Sequence, residues 1–248
     1  MNILICIDDT DNIDSRGTGE LAELLAGDIE KKGWGTCSPI TRHQMLIHPD
    51  IAYTSHNSAM CFAADIDPAQ LSALIRYAQE FLVAESASGS DPGLCVVTLD
   101  TLSLEDDLIA FGRKAKQQVI QKEEAYGLAE RLGVHLSEHG GTGIGVIGAL
   151  AGTGLRLTRN DGRFKGKLKI SASGEAVTVK KILQQTYVET VQSLDGSVLE
   201  ADDLVHPGSK VKAVLLEGRA TMLVYADADI GADRTIWRTC TKQQLRKF

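Results

Sequence analysis

Five apolar residues, Ile3 to Ile7, run directly into Asp8-Asp9-Thr10-Asp11-Asn12. The apolar run reads as a buried strand, so three carboxylates within four positions stand at the end of a core element. Carboxylates this close repel one another, and burial makes the repulsion worse. A divalent cation relieves it, and hard oxygen ligands suit magnesium. A Gly17-Thr18-Gly19 turn follows, then a helix whose free N–H groups and positive dipole end face back toward the same loop. A cation beside a helix N-terminus makes a phosphate site. The competing reading is an Asx-rich turn open to water. Alternate strand residues face opposite ways, so Asp8 and Asp9 cannot both enter one site from ideal β geometry. The chain must turn here, which Thr10 and Asn12 permit through local hydrogen bonds.

Beyond this loop, strands alternate with amphipathic helices. A helix is expected over Glu20–Lys32, with Leu21, Leu24, Leu25 and Ile29 on one face and Gly33 as its stop. Ser58–Ile66 reads as a second buried strand, and Asp67-Pro68 as the N-cap and first turn of a helix running to Glu85. Leu94–Leu99 is a third strand. Ser103 with Asp106 reads as a capping box opening a helix that continues past Lys122. A further helical stretch ends at Leu132, with Gly133 as C-cap. Ile144–Ala151 is a small-residue helix. Arg156–Thr158 and Arg163–Ile170 read as a hairpin about Asn160-Asp161-Gly162. Short strands then surround a helix at Val179–Gln185. The expectation is an α/β (α+β) main domain with a mixed sheet over residues 1–170, followed by a small β-rich domain over 171–248.

The net charge of −7 argues against sequence-blind binding to nucleic acid over a broad surface, and leaves a local basic patch open. The five cysteines include no C-x-x-C pair; Cys6, Cys61 and Cys95 lie in apolar runs and read as reduced core residues. With no signal segment or membrane span in evidence, the expected location is cytoplasmic.

Three other segments carry chemistry. Thr54-Ser55-His56-Asn57, just before a buried strand, offers hydroxyl, imidazole and amide groups to a phosphate or a metal-bound water, with His56 a candidate acid or base. The alternative is a solvated polar loop. Gly140-Gly141-Thr142-Gly143 precedes a formal G-x-G-x-x-G at Gly143–Gly148. The upstream strand is short, and the acid that a dinucleotide fingerprint needs falls at Asp161, in an expected turn, so the Rossmann reading fails. A backbone nest over a phosphate and close packing of a glycine-rich helix both remain open. Arg163, Lys165, Lys167 and Lys169 alternate and would share a strand face, either for a polyanion or as a solvated edge.

Taken together, the acid run with Gly17, the Pro49–Ala59 stretch and the Gly143–Ala151 region resemble the N-terminal kinase-like domain of the archaeal tRNA-isoleucine 2-agmatinylcytidine synthetases, over roughly the first 155 residues. The resemblance implies ATP as cofactor, magnesium held by Asp8, Asp9 and Asp11, and phosphoryl transfer. With the residue reading added, Thr10, Gly17, Thr54–Asn57 and Gly140–Gly143 are expected around the nucleotide. That family carries a Cys-Thr pair after the loop glycine, whose threonine becomes phosphorylated. This chain reads Gly17-Thr18-Gly19-Glu20, leaving Thr18 as the candidate substitute. The family's OB-fold and zinc ribbon have no counterpart here. The expected function is an ATP- and Mg-dependent phosphotransferase of unidentified acceptor. The alternatives are a haloacid-dehalogenase-like phosphatase built on Asp9-Thr10-Asp11, and a nucleotide- or RNA-binding regulator without catalysis. A nucleotide is the expected partner; RNA and a second copy of the chain (a homodimer) stay open, and no membrane is expected.

Overall fold

The computed structural model describes residues 1–51, 53, 56–171, 176–226 and 236–245. The chain divides into two compact units, Met1–Thr158 and Arg159–Phe248.

The first unit runs β1 (Asn2–Asp8), α1 (Thr18–Lys31), β2 (Gly35–Cys37), β3 (Thr41–Gln44), β4 (Ser58–Ile66), α2 (Leu71–Glu85), β5 (Gly93–Thr98), α3 (Glu105–Ala115), α4 (Lys122–Leu132), β6 (His135–Glu138) and α5 (Gly145–Leu157). Its sheet has the order β6-β5-β1-β4-β3, with β2 also on β4. Every described pair in this unit is antiparallel. β1 is central and its alternation divides the core. Ile3, Ile5 and Ile7 pack with Leu21, Leu25 and Ile29 of α1 and Leu74 and Leu82 of α2. Leu4 and Cys6 face the other way, onto Leu108 and Phe111 of α3, Leu128 of α4 and Leu150 of α5. Each such aliphatic side chain contributes about 1.5–3 kcal/mol by its burial. Cys6, Cys61 and Cys95 are fully buried and unpaired in this core, as expected.

α5 crosses the sheet unusually closely. A Cβ on Gly152 would fall 2.6 Å from Cys6 Sγ, and one on Gly148 would fall 1.6 Å from Asp8 Oδ2. These glycines are one helical turn apart, as Cys6 and Asp8 are one pleat apart, so the small face of the helix follows β1 along its length. Gly154 lies against Leu108, and Gly112 of α3 against Ala151, which draws α3 and α5 together. Of the two readings of the glycine-rich helix, close packing accounts for Gly148 and Gly152.

Several local expectations are corrected. The capping box at Ser103 does not form: the N-cap of α3 is Leu104, left-handed at φ 63°, with no side-chain cap. α3 ends at Ala115 instead of continuing past Lys122, because the Ala115 carbonyl accepts from Leu46 N at 3.0 Å. α5 extends to Leu157, so Arg156–Thr158 is a helix end and not a hairpin strand. β2 was not foreseen.

The second unit runs β7 (Arg163–Phe164), β8 (Val177–Thr178), α6 (Val179–Gln185), β9 (Thr190–Ser193), β10 (Leu204–His206), β11 (Val214–Leu216), β12 (Arg219–Ala226) and β13 (Trp237–Thr239). Its order is β7-β11-β12-β13-β10-β8, with β9 on β12. The β9–β12 and β10–β13 pairs are parallel, so the chain's strands pair in both senses. Glu217 and Gly218, both at positive φ, make the two-residue turn between β11 and β12. The expected α/β class with a β-rich end holds. The two compact units divide at Thr158–Arg159, and Arg163 pairs with Val214 within the second. The alternating cations do not form one strand face: Arg163 is buried, and Gly166 at φ 87° ends the extended run. No helix among the described residues is long and apolar enough to cross a membrane.

Candidate functional site

The acid loop opens into a cavity of about 560 Å³, within the size range of small-molecule sites. β1's alternation sends Asp8 to the α5 face, beneath Gly148. The turn then occurs at Asp9 itself, which is left-handed at φ 51°. An L-residue takes this conformation at a cost of about 1–2 kcal/mol, least for Asp and Asn. The kink resolves the facing problem, and Asp8, Asp9 and Asp11 all line the cavity. Asn12 secures the far side: its Oδ1 accepts from Asp14 N at 3.1 Å, and its N–H donates to Ser15 Oγ at 2.9 Å.

Two helices begin at this loop. α1 starts at Thr18, whose Oγ1 donates to Asp11 Oδ1 at 3.1 Å; Gly17, its N-cap, carries no capping side chain. α5 starts at Gly145, where a Cβ would fall 2.0 Å from Asp91 O and 3.2 Å from Asp9 Cβ. Gly17, Thr18, Gly145 and Gly148 line the same cavity. The carboxylates carry the strain of this arrangement. Burial, then Asp9 and Asp11, hold the Asp8 carboxyl well above its ordinary value. Burial, then the charges of Asp91 and Asp11, push Asp9 up to about 6, against a backbone hydrogen bond from Asp91 that lowers it. Among the described residues, no group of three or more His, Cys, Asp or Glu side chains converges as a metal cage. The donor set instead suits an ion bound through one or two carboxylates, with phosphates and water completing its shell, as magnesium commonly is.

From the polar segment, His56 and Asn57 line the cavity; Thr54 and Ser55 lie outside the described residues. Asn57 also ties β3 to β4: its Nδ2 donates to Leu46 O at 2.7 Å, and its carbonyl accepts from Met45 N at 2.9 Å.

Two expected contributors lie elsewhere. Thr10 is fully buried, off the cavity wall, and its Oγ1 has no hydrogen-bond partner. Gly140, Gly141, Thr142 and Gly143 do not line the cavity either. Their backbone does form an anion nest, with Gly140, Gly141 and Gly143 at positive φ. The nest holds Asp91: its Oδ1 accepts from Gly143 N at 3.0 Å and from Thr142 N. A Cβ on Gly141 would fall 2.2 Å from that same oxygen, so glycine is what lets the loop close on Asp91.

Sequence reasoning missed the cavity's cations. Arg42 of β3 donates to Ser58 Oγ at 2.9 Å and to Gln44 Oε1 at 2.7 Å. Lys122, the first residue of α4, donates to Glu138 Oε2 at 2.8 Å and to Thr142 O at 2.9 Å. Both line the cavity, whose far wall includes Met45, Tyr53, Val119 and Ile120. A single cation at a helix start carries no motif, whereas Asp8, Asp9, Asp11, Gly17, Thr18, His56 and Asn57 were readable in advance and do line the cavity.

No family model matches the chain. It is 30% identical over 158 residues to the tRNA-isoleucine 2-agmatinylcytidine synthetase TiaS of Methanosarcina acetivorans, an alignment covering 62% of this chain and 36% of that protein. Among solved structures, a tRNA fluorescent labeling enzyme matches with 28% identity and a TM-score of 0.54, over 62% of this chain and 36% of the other. Apo TiaS matches with 26% identity and a TM-score of 0.53, over 62% of this chain and 35% of the other. TiaS in complex with tRNA and ATP shares the fold at 22% identity and a TM-score of 0.55, over 82% of this chain and 50% of the other. The chain spans about a third of the length of the curated relative, and over the matched part it is similar to TiaS.

Proposed function

We propose that the first unit binds ATP with magnesium in the cavity and transfers its terminal phosphoryl group. The observation that carries this reading is the convergence of Asp8, Asp9 and Asp11 on one cavity that two helix N-termini also face. Carboxylates held above their ordinary pKa have unsatisfied demand for positive charge. The similarity to TiaS, crystallised with ATP, supports the same nucleotide.

Magnesium, if held by Asp8, Asp9 and Asp11, would supply positive charge to neutralise the nucleotide's phosphates. The chain's residues do the rest. Asp8, held by Gly148, and Asp9, held by its kink, present oxygen ligands. The free N–H groups opening α1 and α5 face phosphate oxygens. Lys122 and Arg42 add positive charge, and the apolar wall about Met45 and Ile120 takes the less polar end of the nucleotide. Thr18 serves in this reading as an internal acceptor. Its hydroxyl already donates to Asp11, so as Oγ1 bonds to the terminal phosphorus and the bond to the departing diphosphate oxygen breaks, Asp11 receives the proton. The eventual acceptor beyond Thr18 is left unassigned. The antiparallel neighbours of β1 count against the dehalogenase-type phosphatase, since a strand-end nucleophile of that kind belongs at the carboxyl edge of a parallel sheet.

The test is incubation of the full chain with terminally labelled ATP and magnesium. Label on Thr18, or hydrolysis lost in Asp8→Asn, supports the reading. ATP that binds and stays intact, with no labelled protein, favours the non-catalytic regulator.

A further inference from the structure

Lys122 opens α4, where a helix presents its positive end and a cation is least favoured. The next two residues, Glu123 and Glu124, have the sign that a first turn prefers. Lys122 is held there by two segments outside the helix. Its Nζ donates to Glu138 Oε2 of β6 at 2.8 Å and to the Thr142 carbonyl at 2.9 Å. The hydrogen bond to Glu138 is the largest of the influences that raise the Lys122 ammonium above its ordinary value.

Three elements bring Glu138 to this point. Leu136 and Glu138 share one face of β6. Leu136 packs on the core cluster that holds Leu128 and Leu132 of α4, which sets that face of the strand against the helix. Lys122 and Tyr126 are four residues apart and share a face of α4; burial, then the charge of Glu138, hold the Tyr126 phenol above its ordinary value. Gly143 leaves the space, since a Cβ there would fall onto Glu138 Oε2. The glycine loop therefore closes on two carboxylates, Asp91 through Gly141 and Glu138 through Gly143.

The two hydrogen bonds use two of the three donors of the ammonium. Lys122 lines the cavity and Glu138 does not. The Glu138 carboxylate offsets much of the ammonium's charge, so what Lys122 offers a phosphate depends on where its remaining N–H points. We propose that Glu138 is a positioning residue: it holds the Lys122 ammonium at the cavity wall with one N–H directed at a phosphate oxygen of the bound nucleotide. This role rests on the nucleotide reading. A part-exposed ion pair adds little to stability by itself, so its loss is read at the cavity and not in the melting temperature.

The experiment is calorimetry of ATP binding with magnesium, at pH 7, on the full chain. It compares wild type, Lys122→Ala, Glu138→Ala, the double variant and Glu138→Gln. Lys122→Ala loses about three- to tenfold in affinity. Glu138→Ala loses about threefold, because the ammonium is no longer anchored. In the Lys122→Ala background the same substitution costs nothing further, whereas a role in holding the fold alone would cost the same in both backgrounds. Glu138→Gln keeps an oxygen acceptor and stays within about twofold of wild type. Glu138 is exposed, and unchanged melting temperatures verify that the variants fold. A loss in Glu138→Ala that vanishes without Lys122 and is recovered by Glu138→Gln supports the role. Glu138→Ala that binds ATP as well as wild type, equal losses in the two backgrounds, or Glu138→Gln that loses as much as Glu138→Ala overturns it while leaving the nucleotide reading intact. A wild-type chain that binds no ATP overturns that reading and this role together.

Discussion

The acid loop and the glycine loop meet the same neighbourhood with opposite outcomes. At residues 8–11 the charged groups have found little internal compensation: burial and mutual repulsion hold Asp8 and Asp9 above their ordinary values, and they face a cavity. At residues 140–143 the backbone amides have found a carboxylate of the same chain, Asp91, and the loop stands off the cavity wall. Both segments have the residue types of a phosphate site. The difference is whether the binding capacity is already used inside the molecule. A nest filled by an aspartate is a structural joint; a carboxylate cluster still held above its ordinary pKa is where our proposal puts the ion.

The largest effect that would break this comparison lies at Asp8 and at the glycine beneath it. Asp8→Asn should cost at least about 100-fold in magnesium-dependent ATP affinity, near 3 kcal/mol, while raising the melting temperature of the metal-free protein, because a repelling charge is gone. Gly148→Ala should mimic the loss of affinity without the gain in stability, since its Cβ would occupy the position of Asp8 Oδ2. Calorimetry with parallel thermal melts reads both.

Asp91→Ala should do the reverse. Removing the acceptor from two backbone N–H groups should cost about 2 kcal/mol of stability and change ATP affinity less than about threefold by the same calorimetry. A hundredfold loss of affinity there would return the glycine loop to the nucleotide site.

A pH series sharpens the contrast. Asp9 is raised from 3.8 to about 6 in the folded state. Between those values the native state binds more protons than the unfolded one, so stability falls as pH rises. Below pH 3.8 the penalty is absent, and above 6 it is fully present. Discounted for partial exposure, it amounts to about 1–2 kcal/mol. Metal-free wild type should therefore lose a few degrees of melting temperature relative to Asp9→Asn between pH 4 and pH 7, and magnesium at pH 7 should restore them. The smallest effect belongs to Lys122→Ala, which should weaken ATP binding by about three- to tenfold, with Lys122→Arg recovering most of it.

Much of the fold was legible because its main elements carry a clear period. β4 matches Ser58–Ile66, and α2 ends at Glu85 as the pattern implied. The misreadings have tertiary causes. α3 stops at Ala115 because Leu46 N takes its last carbonyl, a bond across 69 positions that no local pattern shows. Arg156 looked like a strand residue but closes a helix whose glycines serve contacts with β1 and α3. In the site, the acid run was readable because its residues are contiguous. Asp91 and Lys122 were not, since each lies in an ordinary loop or helix start and acquires meaning only from what it touches. Whole-chain charge was the least informative quantity, because it averaged an acidic unit with a basic one, residues 159–248 holding 15 Lys and Arg against 11 Asp and Glu.

The central claim is that Asp8, Asp9 and Asp11 bear their mutual repulsion in order to receive a divalent ion with a nucleotide. Isothermal calorimetry of ATP binding at pH 7, with and without magnesium, on wild type and Asp9→Asn, tests it most directly. The account predicts tight binding by wild type only with magnesium, and loss of that dependence in Asp9→Asn. Equal heats in all four titrations would contradict it.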